Sequence, residues 1–167
     1  MENVDIVNDR NEVLQQMSKI KAHEKGLLHR CVIAEVKNTK GEWLLVKQSP
    51  NRQDAGQYVS PVGGHVIAGE TPTHALIRET MEELGIVAIT YKYIGSKIFN
   101  RSTRGKLENH LFMLYEITSD EMPVLNEESD SFAYFSEEKI TQTTQNDSKI
   151  FGAAFLFILQ EFYPNLI

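Results

Sequence analysis

From Gly64 the chain reads GHVIAGETPTHALIRETMEELGI, and no other stretch limits the fold as sharply. Thr71 is a good helix N-cap, Pro72 suits the first helical turn, and Gly85 suits the stop. The spacing predicts a helix over residues 71–84, with Ile77, Met81 and Leu84 as its apolar stripe. On that helix Glu79, Glu82 and Glu83 stand at i, i+3 and i+4, so they share one face. Three carboxylates held so close repel one another, and each is costly there without a counter-charge. A hard divalent cation with oxygen ligands, Mg²⁺ or Mn²⁺, removes that cost, and Mg²⁺ readily takes substrate phosphates as further ligands. Glutamates at this spacing also occur as a plain solvated face, so the three alone leave both readings open.

The rest of the chain frames this helix. At 167 residues it is expected to form a single domain spanning residues 1–167. Residues 4–14 read as a hairpin around a polar turn, and 30–37 with 42–48 as a second hairpin. Residues 86–98 and 107–117 carry strand-like side chains, separated by a basic loop over 100–106, and 131–135 is a last short strand. Asp147 is placed to cap a final helix running through Tyr163. Hairpin strands with interspersed helices predict an α/β protein, a mixed β-sheet with helices on its faces.

The complete pattern is Gly64, Glu70, Arg78-Glu79, Glu82-Glu83 and Gly85-Ile86. It resembles the Nudix box, G-x5-E-x7-R-E-U-x-E-E-x-G-U with U a bulky aliphatic residue. Every specified position matches except Thr80, which brings a hydroxyl where the family has an aliphatic side chain. The resemblance implies the Nudix fold, an α/β/α sandwich with a mixed sheet and a loop–helix–loop motif, here with an N-terminal β-hairpin added. It implies a metal-dependent hydrolase that cleaves a diphosphate linkage in a nucleoside diphosphate derivative or similar phosphorylated small molecule. In that reading Glu79, Glu82 and Glu83 bind Mg²⁺ or Mn²⁺, and Arg78 serves the catalytic helix. Glu70 pairs with Arg78 to hold helix and loop in register, while Gly64 and Gly85 serve the backbone. A further metal carboxylate outside the box is expected at Glu108, with Glu128 as second candidate.

A second resemblance covers the N-terminal segments KAHEKGLLHR and CVIAEVKNTKGEWLLV, which look like isopentenyl-diphosphate isomerases and their Nudix relatives. Those isomerases use a metal site of three histidines and two glutamates. The matching positions here are His23, His29, His65 and Glu108, with His110 in place of the second glutamate. The resemblance therefore implies that His23, His29, His65, Glu108 and His110 converge in space, as a second, transition-metal site if a metal fills it. The bland alternative is that His23 and His29 only hydrogen-bond the hairpin to the sheet. Against isomerisation, the isomerase's catalytic cysteine precedes the Gly-His pair, and this chain has Gly63 there. Glycine cannot move a proton. Hydrolysis is thus the expected activity, with isomerisation and a non-catalytic ligand-sensing domain as alternatives.

Composition narrows the partners. A formal net charge of −6 repels nucleic acid and anionic membranes, so the expected partner is a small phosphorylated molecule held through metal or local basic groups. Arg52, Arg101, Arg104 and Lys106 are the candidates for phosphate contacts. Cys31 is the lone cysteine, within an apolar run, and is expected to be a buried hydrophobe. Trp43, Tyr58 and Phe99 are expected in the core or at its rim. The N-terminus lacks the apolar stretch of a signal peptide, which makes the cytoplasm the expected compartment.

Overall fold

The structure, a computed structural model, describes residues 1–167. In chain order its elements are β1 (Asn3–Val7), β2 (Val13–Ser18), α1 (Lys19–Glu24), β3 (His29–Lys37), β4 (Trp43–Gln48), β5 (Tyr58–Val59) and β6 (Val62–His65). The box helix α2 (Pro72–Leu84) follows, then β7 (Thr90–Thr103), β8 (Lys106–Thr118), β9 (Ser129–Phe135), α3 (Glu137–Asp147) and α4 (Ala153–Phe162).

Strand β3 is the spine of the sheet. Along one edge it runs parallel to β8, from His29 opposite His110 to Lys37 opposite Thr118. Its other edge is shared by three antiparallel partners: β1 at Ile6, β6 from Cys31 to Ala34, and β4 at Val36 and Lys37. Alternation along β3 divides its side chains between two faces. Val32, Ala34 and Val36 pack with Ala75, Leu76 and Leu84 of α2. Cys31 and Ile33 pack with Phe112, Leu114 and Ile158 of α4. Trp43, Leu45, Phe135 and Phe155 extend the second face, closed by Ile140 of α3. The result is the expected mixed sheet between helical layers, with the β1–β2 hairpin on its edge. No helix is long and apolar enough to cross a membrane.

Several local expectations are corrected. The buried stripe of α2 is Ala75, Leu76, Thr80 and Leu84, while Ile77 and Met81 face outward. Thr80 is fully buried, and its Oγ1 donates to the Leu76 carbonyl at 2.7 Å, so the hydroxyl costs little in an apolar layer. The basic stretch at 100–106 is not a loop: β7 and β8 run through it, leaving a tight turn at Arg104 and Gly105. β7 begins at Thr90, four residues later than expected from the strand-like side chains at 86–89. The final helix starts at Ala153 and not after Asp147, because Asp147 ends α3. Helix α3 went unread, since Ile140 is its single buried side chain and gives no stripe, though Ser136 before Glu137-Glu138 is an N-cap signal.

Candidate active site

Helix α2 is built as its sequence dictates. Thr71 Oγ1 accepts from the His74 amide at 3.2 Å, and Gly85 takes a left-handed φ of 66° that closes the helix. Arg78 is the hub of the box. Its guanidinium donates to both oxygens of Glu70 at 3.0 and 2.9 Å, to Glu79 Oε1 at 2.6 Å and to the His65 carbonyl at 3.0 Å. Glu70 in turn accepts from the Ile67 amide at 3.0 Å. Burial alone would raise the Glu70 carboxyl, but these donors hold it below its usual range. Gly64 is required by close approach, because a Cβ there would fall on the Glu79 carboxylate. Arg78→Ala should therefore loosen the loop before the helix, costing about 2 kcal/mol for a half-buried charged network. Thermal unfolding should move down by ~4–8 °C; an unchanged midpoint would mean that Arg78 holds nothing together.

The three box glutamates differ in setting. Glu83 reaches inward and accepts from the Gly63 amide at 2.8 Å; burial, with Glu79, Glu128 and Glu82 nearby, pushes its carboxyl well up. Burial also raises Glu79, though Arg78 opposes it, and Glu82 and Glu128 add to the rise. Glu82 is the exposed member, 3.7 Å from Arg78. Two partly buried carboxylates in mutual repulsion, only Glu79 of them answered by Arg78, form a site that suits a hard cation. Glu128 stands with this group and also pairs with Arg52 at 2.7 Å. Glu108 is instead held by Arg101 Nε at 2.6 Å, on the histidine side.

The four histidines from distant parts of the chain meet. The register sets His29 of β3 beside His110 of β8, and Cys31, two residues along β3, beside His65 of β6. All three imidazoles lie on one sheet face, and α1 lays His23 across them. Their ligating nitrogens all fall within 4.8 Å of one another. His23 Nε2 lies 3.2 Å from His110 Nε2 and 3.3 Å from His65 Nε2. One imidazole nitrogen carries either a proton or a lone pair, so it cannot satisfy both neighbours. His29 Nδ1 bonds the Leu27 carbonyl at 2.7 Å, while its buried Nε2 has no partner. Burial lowers all four rings, His29 to about 4 and His110 to about 2, with His23 and His65 also lowered. The cluster is thus neutral, and hydrogen bonding within it is frustrated.

A cavity of about 190 Å³ lies between the two centres. Glu83, Glu128, His65, His110, Gly63 and Ser60 line it, with Ile33, Phe99 and Phe112 among its apolar walls. Of the basic candidates only Arg101 lines it, and that guanidinium is already bound to Asp54, Gln53 and Glu108. Arg104 donates to the Asn51 carbonyl, and Lys106 is exposed. Cys31 is buried, and burial pushes its thiol up, away from reactivity. Trp43 and Phe99 are buried, and Tyr58 is partly buried against the same core. Sequence reading missed Ser60 and Asp54 in this wall; neither belongs to a spaced motif.

The mixed sheet between helices, with an Arg-anchored glutamate helix beside a cavity, is the arrangement that the box pattern implies. The NUDIX domain model matches residues 27–154, and the chain belongs to the Nudix family. An isopentenyl-diphosphate Delta-isomerase of Pectobacterium atrosepticum is 26% identical over 152 residues, 90% of this chain and 85% of that protein. A Nudix hydrolase of Deinococcus radiodurans is 29% identical over 128 residues, 75% of this chain and 72% of that one. A crystal structure of a Deinococcus radiodurans protein superimposes with a TM-score of 0.77 at 24% identity, covering 95% of this chain and 98% of its own.

Proposed function

We propose that the protein is a metal-dependent hydrolase that cleaves a diphosphate linkage in a nucleoside diphosphate derivative or similar phosphorylated small molecule. The observation that carries this reading is the crowding of Glu79, Glu128 and Glu82 around Glu83, a carboxylate that lines the cavity and is raised by its burial and by these neighbours. Glu79, Glu82 and Glu83, with Glu128 close by, would hold Mg²⁺ or Mn²⁺. Such a cation, when bound, offsets phosphate charge and makes water a better nucleophile. Glu83 faces the cavity, and we assign it to accept the proton of the water that attacks phosphorus. The bridging P–O bond then breaks, leaving two phosphate products. Arg78 stays outside the reaction, fixing Glu79 from behind.

The four histidines support a second cation centre. His23 Nε2 stands 3.2 and 3.3 Å from the His110 and His65 nitrogens, near the ~3.4 Å edge of a tetrahedron with ~2.1 Å metal–nitrogen bonds, and the buried His29 Nε2 lacks any partner. The His29 Nδ1 bond to a backbone carbonyl is the outer support that a ligating histidine normally has. An all-imidazole set favours Zn²⁺ or a similar transition ion over Mg²⁺.

A phosphate-release screen with Mg²⁺ and with Mn²⁺, across nucleoside diphosphates, nucleotide sugars, coenzyme A-like compounds and prenyl diphosphates, tests the reading. Turnover of at least one compound, dependent on metal, is the expected result; binding without product release would mark a sensor. The same preparation should not interconvert isopentenyl and dimethylallyl diphosphates, because Gly63 provides no proton-transfer group. Gly63→Cys should fold, since the added Cβ comes closest to the flexible Cδ1 of Ile33, at 3.2 Å, yet it should not gain efficient isomerisation without a second proton carrier. Isomerisation by the unaltered protein would overturn the weight placed on Gly63.

A further inference from the structure

Glu35 is a buried carboxyl for which the reaction above has no use. It sits on β3 with no exposed surface, and no cation lies within ion-pair distance. Lys37, two residues along β3, is bound to Glu116 of β8 at 2.9 Å, and Tyr163, after α4, donates to that same Glu116. One Glu35 oxygen, Oε2, is buried without a partner. The other, Oε1, lies 2.5 Å from Ser60 Oγ, the one side-chain hydrogen bond of either residue. Ser60 lines the cavity, between β5 and the Gly63–Gly64 pair.

We propose that Ser60 is a substrate-positioning residue whose hydroxyl hydrogen is aimed into the cavity by a protonated Glu35. A hydroxyl has one hydrogen to donate. When Glu35 carries its proton, Oε1 donates to Ser60 Oγ, and the Ser60 hydrogen is free to meet an oxygen of a bound diphosphate. When Glu35 is ionised, Ser60 must donate to it and turns a lone pair toward the ligand. An orphaned buried oxygen beside committed neighbours favours the neutral form. Burial raises the carboxyl to about 7, with Glu116 adding to the rise and Ser60 and Lys37 opposing it. Glu35 is thus a positioning residue acting through Ser60. The proposal rests on the hydrolase reading only in taking the cavity as the diphosphate site.

The probe is methylenediphosphonate with Mg²⁺, which is not hydrolysed, so binding is measured apart from turnover. Calorimetric titrations at pH 6 and pH 8.5 compare the unaltered protein with Glu35→Gln and Ser60→Ala. Glutamine donates to Ser60 at every pH, so Glu35→Gln should bind with the low-pH pattern throughout. The unaltered protein should lose about tenfold more affinity than Glu35→Gln between the two pH values, the worth of one hydrogen bond to a charged oxygen. The probe's own ionisation and that of the histidines are common to both proteins and cancel. Ser60→Ala should bind weakly at both. Difference infrared spectra at pH 6 should also show a protonated carboxyl band that Glu35→Gln removes, a readout that needs no ligand. Parallel pH curves, a Ser60→Ala protein that binds normally at pH 6, no probe binding, or the absence of that band would each overturn the proposal. Loss of turnover in the screen, with divergent binding curves, would instead count against the hydrolase reading alone.

Discussion

Replacing Glu83 by glutamine should lower kcat at least ~10²-fold at saturating Mg²⁺, about 2.7 kcal/mol of transition-state stabilisation. The amide keeps the shape and can still accept from the Gly63 amide, which the carboxylate does at 2.8 Å in the native protein. What it loses is the charge that holds a cation and the basicity that takes a proton. Glu82→Gln should fall in the same direction, since it too removes a charge from the shared face, even though Glu82 is the exposed member. Without metal neither variant should be less stable, because repulsion with Glu79 and Glu128 is relieved. Added Mg²⁺ should raise the unfolding temperature of the native protein more than that of either variant, by mass action on the folded state. Near-native turnover by both variants in excess Mg²⁺ would remove the glutamate helix from the reaction.

The histidine cluster should bind Co²⁺ or Zn²⁺, and His65→Ala should weaken that binding at least ~100-fold, about 2.7 kcal/mol. His65 is chosen because its Nε2 already meets His23 at 3.3 Å, so its loss opens one corner of the set. Co²⁺ reports directly, since four-coordinate cobalt absorbs strongly in the visible and six-coordinate cobalt does not. Glu108→Gln separates this four-histidine centre from one that uses a carboxylate: Glu108 is engaged by Arg101, so its charge should matter little to cobalt affinity. A cobalt titration unchanged by His65→Ala would leave the histidines as a packed neutral cluster. Loss of binding in Glu108→Gln, with binding kept in His65→Ala, would move the centre toward Arg101.

Some of this was legible because it is local. A helix repeats every 3.6 residues, so the spacing of Glu79, Glu82 and Glu83 already puts them on one face, and Thr71 and Gly85 already fix its ends. The apolar stripe is not legible in this way, because Leu76, Thr80 and Leu84 form the inward line, and a threonine hydroxyl satisfied by its own helix does not announce itself as core. The basic candidates were misplaced for a related reason: polar strand residues at the β7–β8 end read as a loop until the pairing of Arg101 with Glu108 is known.

The glutamate helix, its caps, the family pattern and the residue types at the histidine positions are all written in the order of the residues. That the histidines meet was implied by the resemblance and not by any local spacing; the packed sheet is what brings them together. His29, His65 and His110 come together because β3 accepts β8 on one edge and β6 on the other in fixed register, and no local spacing encodes that choice. Packing likewise pairs Glu108 with Arg101, sets Glu128 beside Glu83, and buries Glu35 against Ser60. A strand's register is set by how whole faces pack, so a shift of one residue would have sent His29 to the opposite side of the sheet.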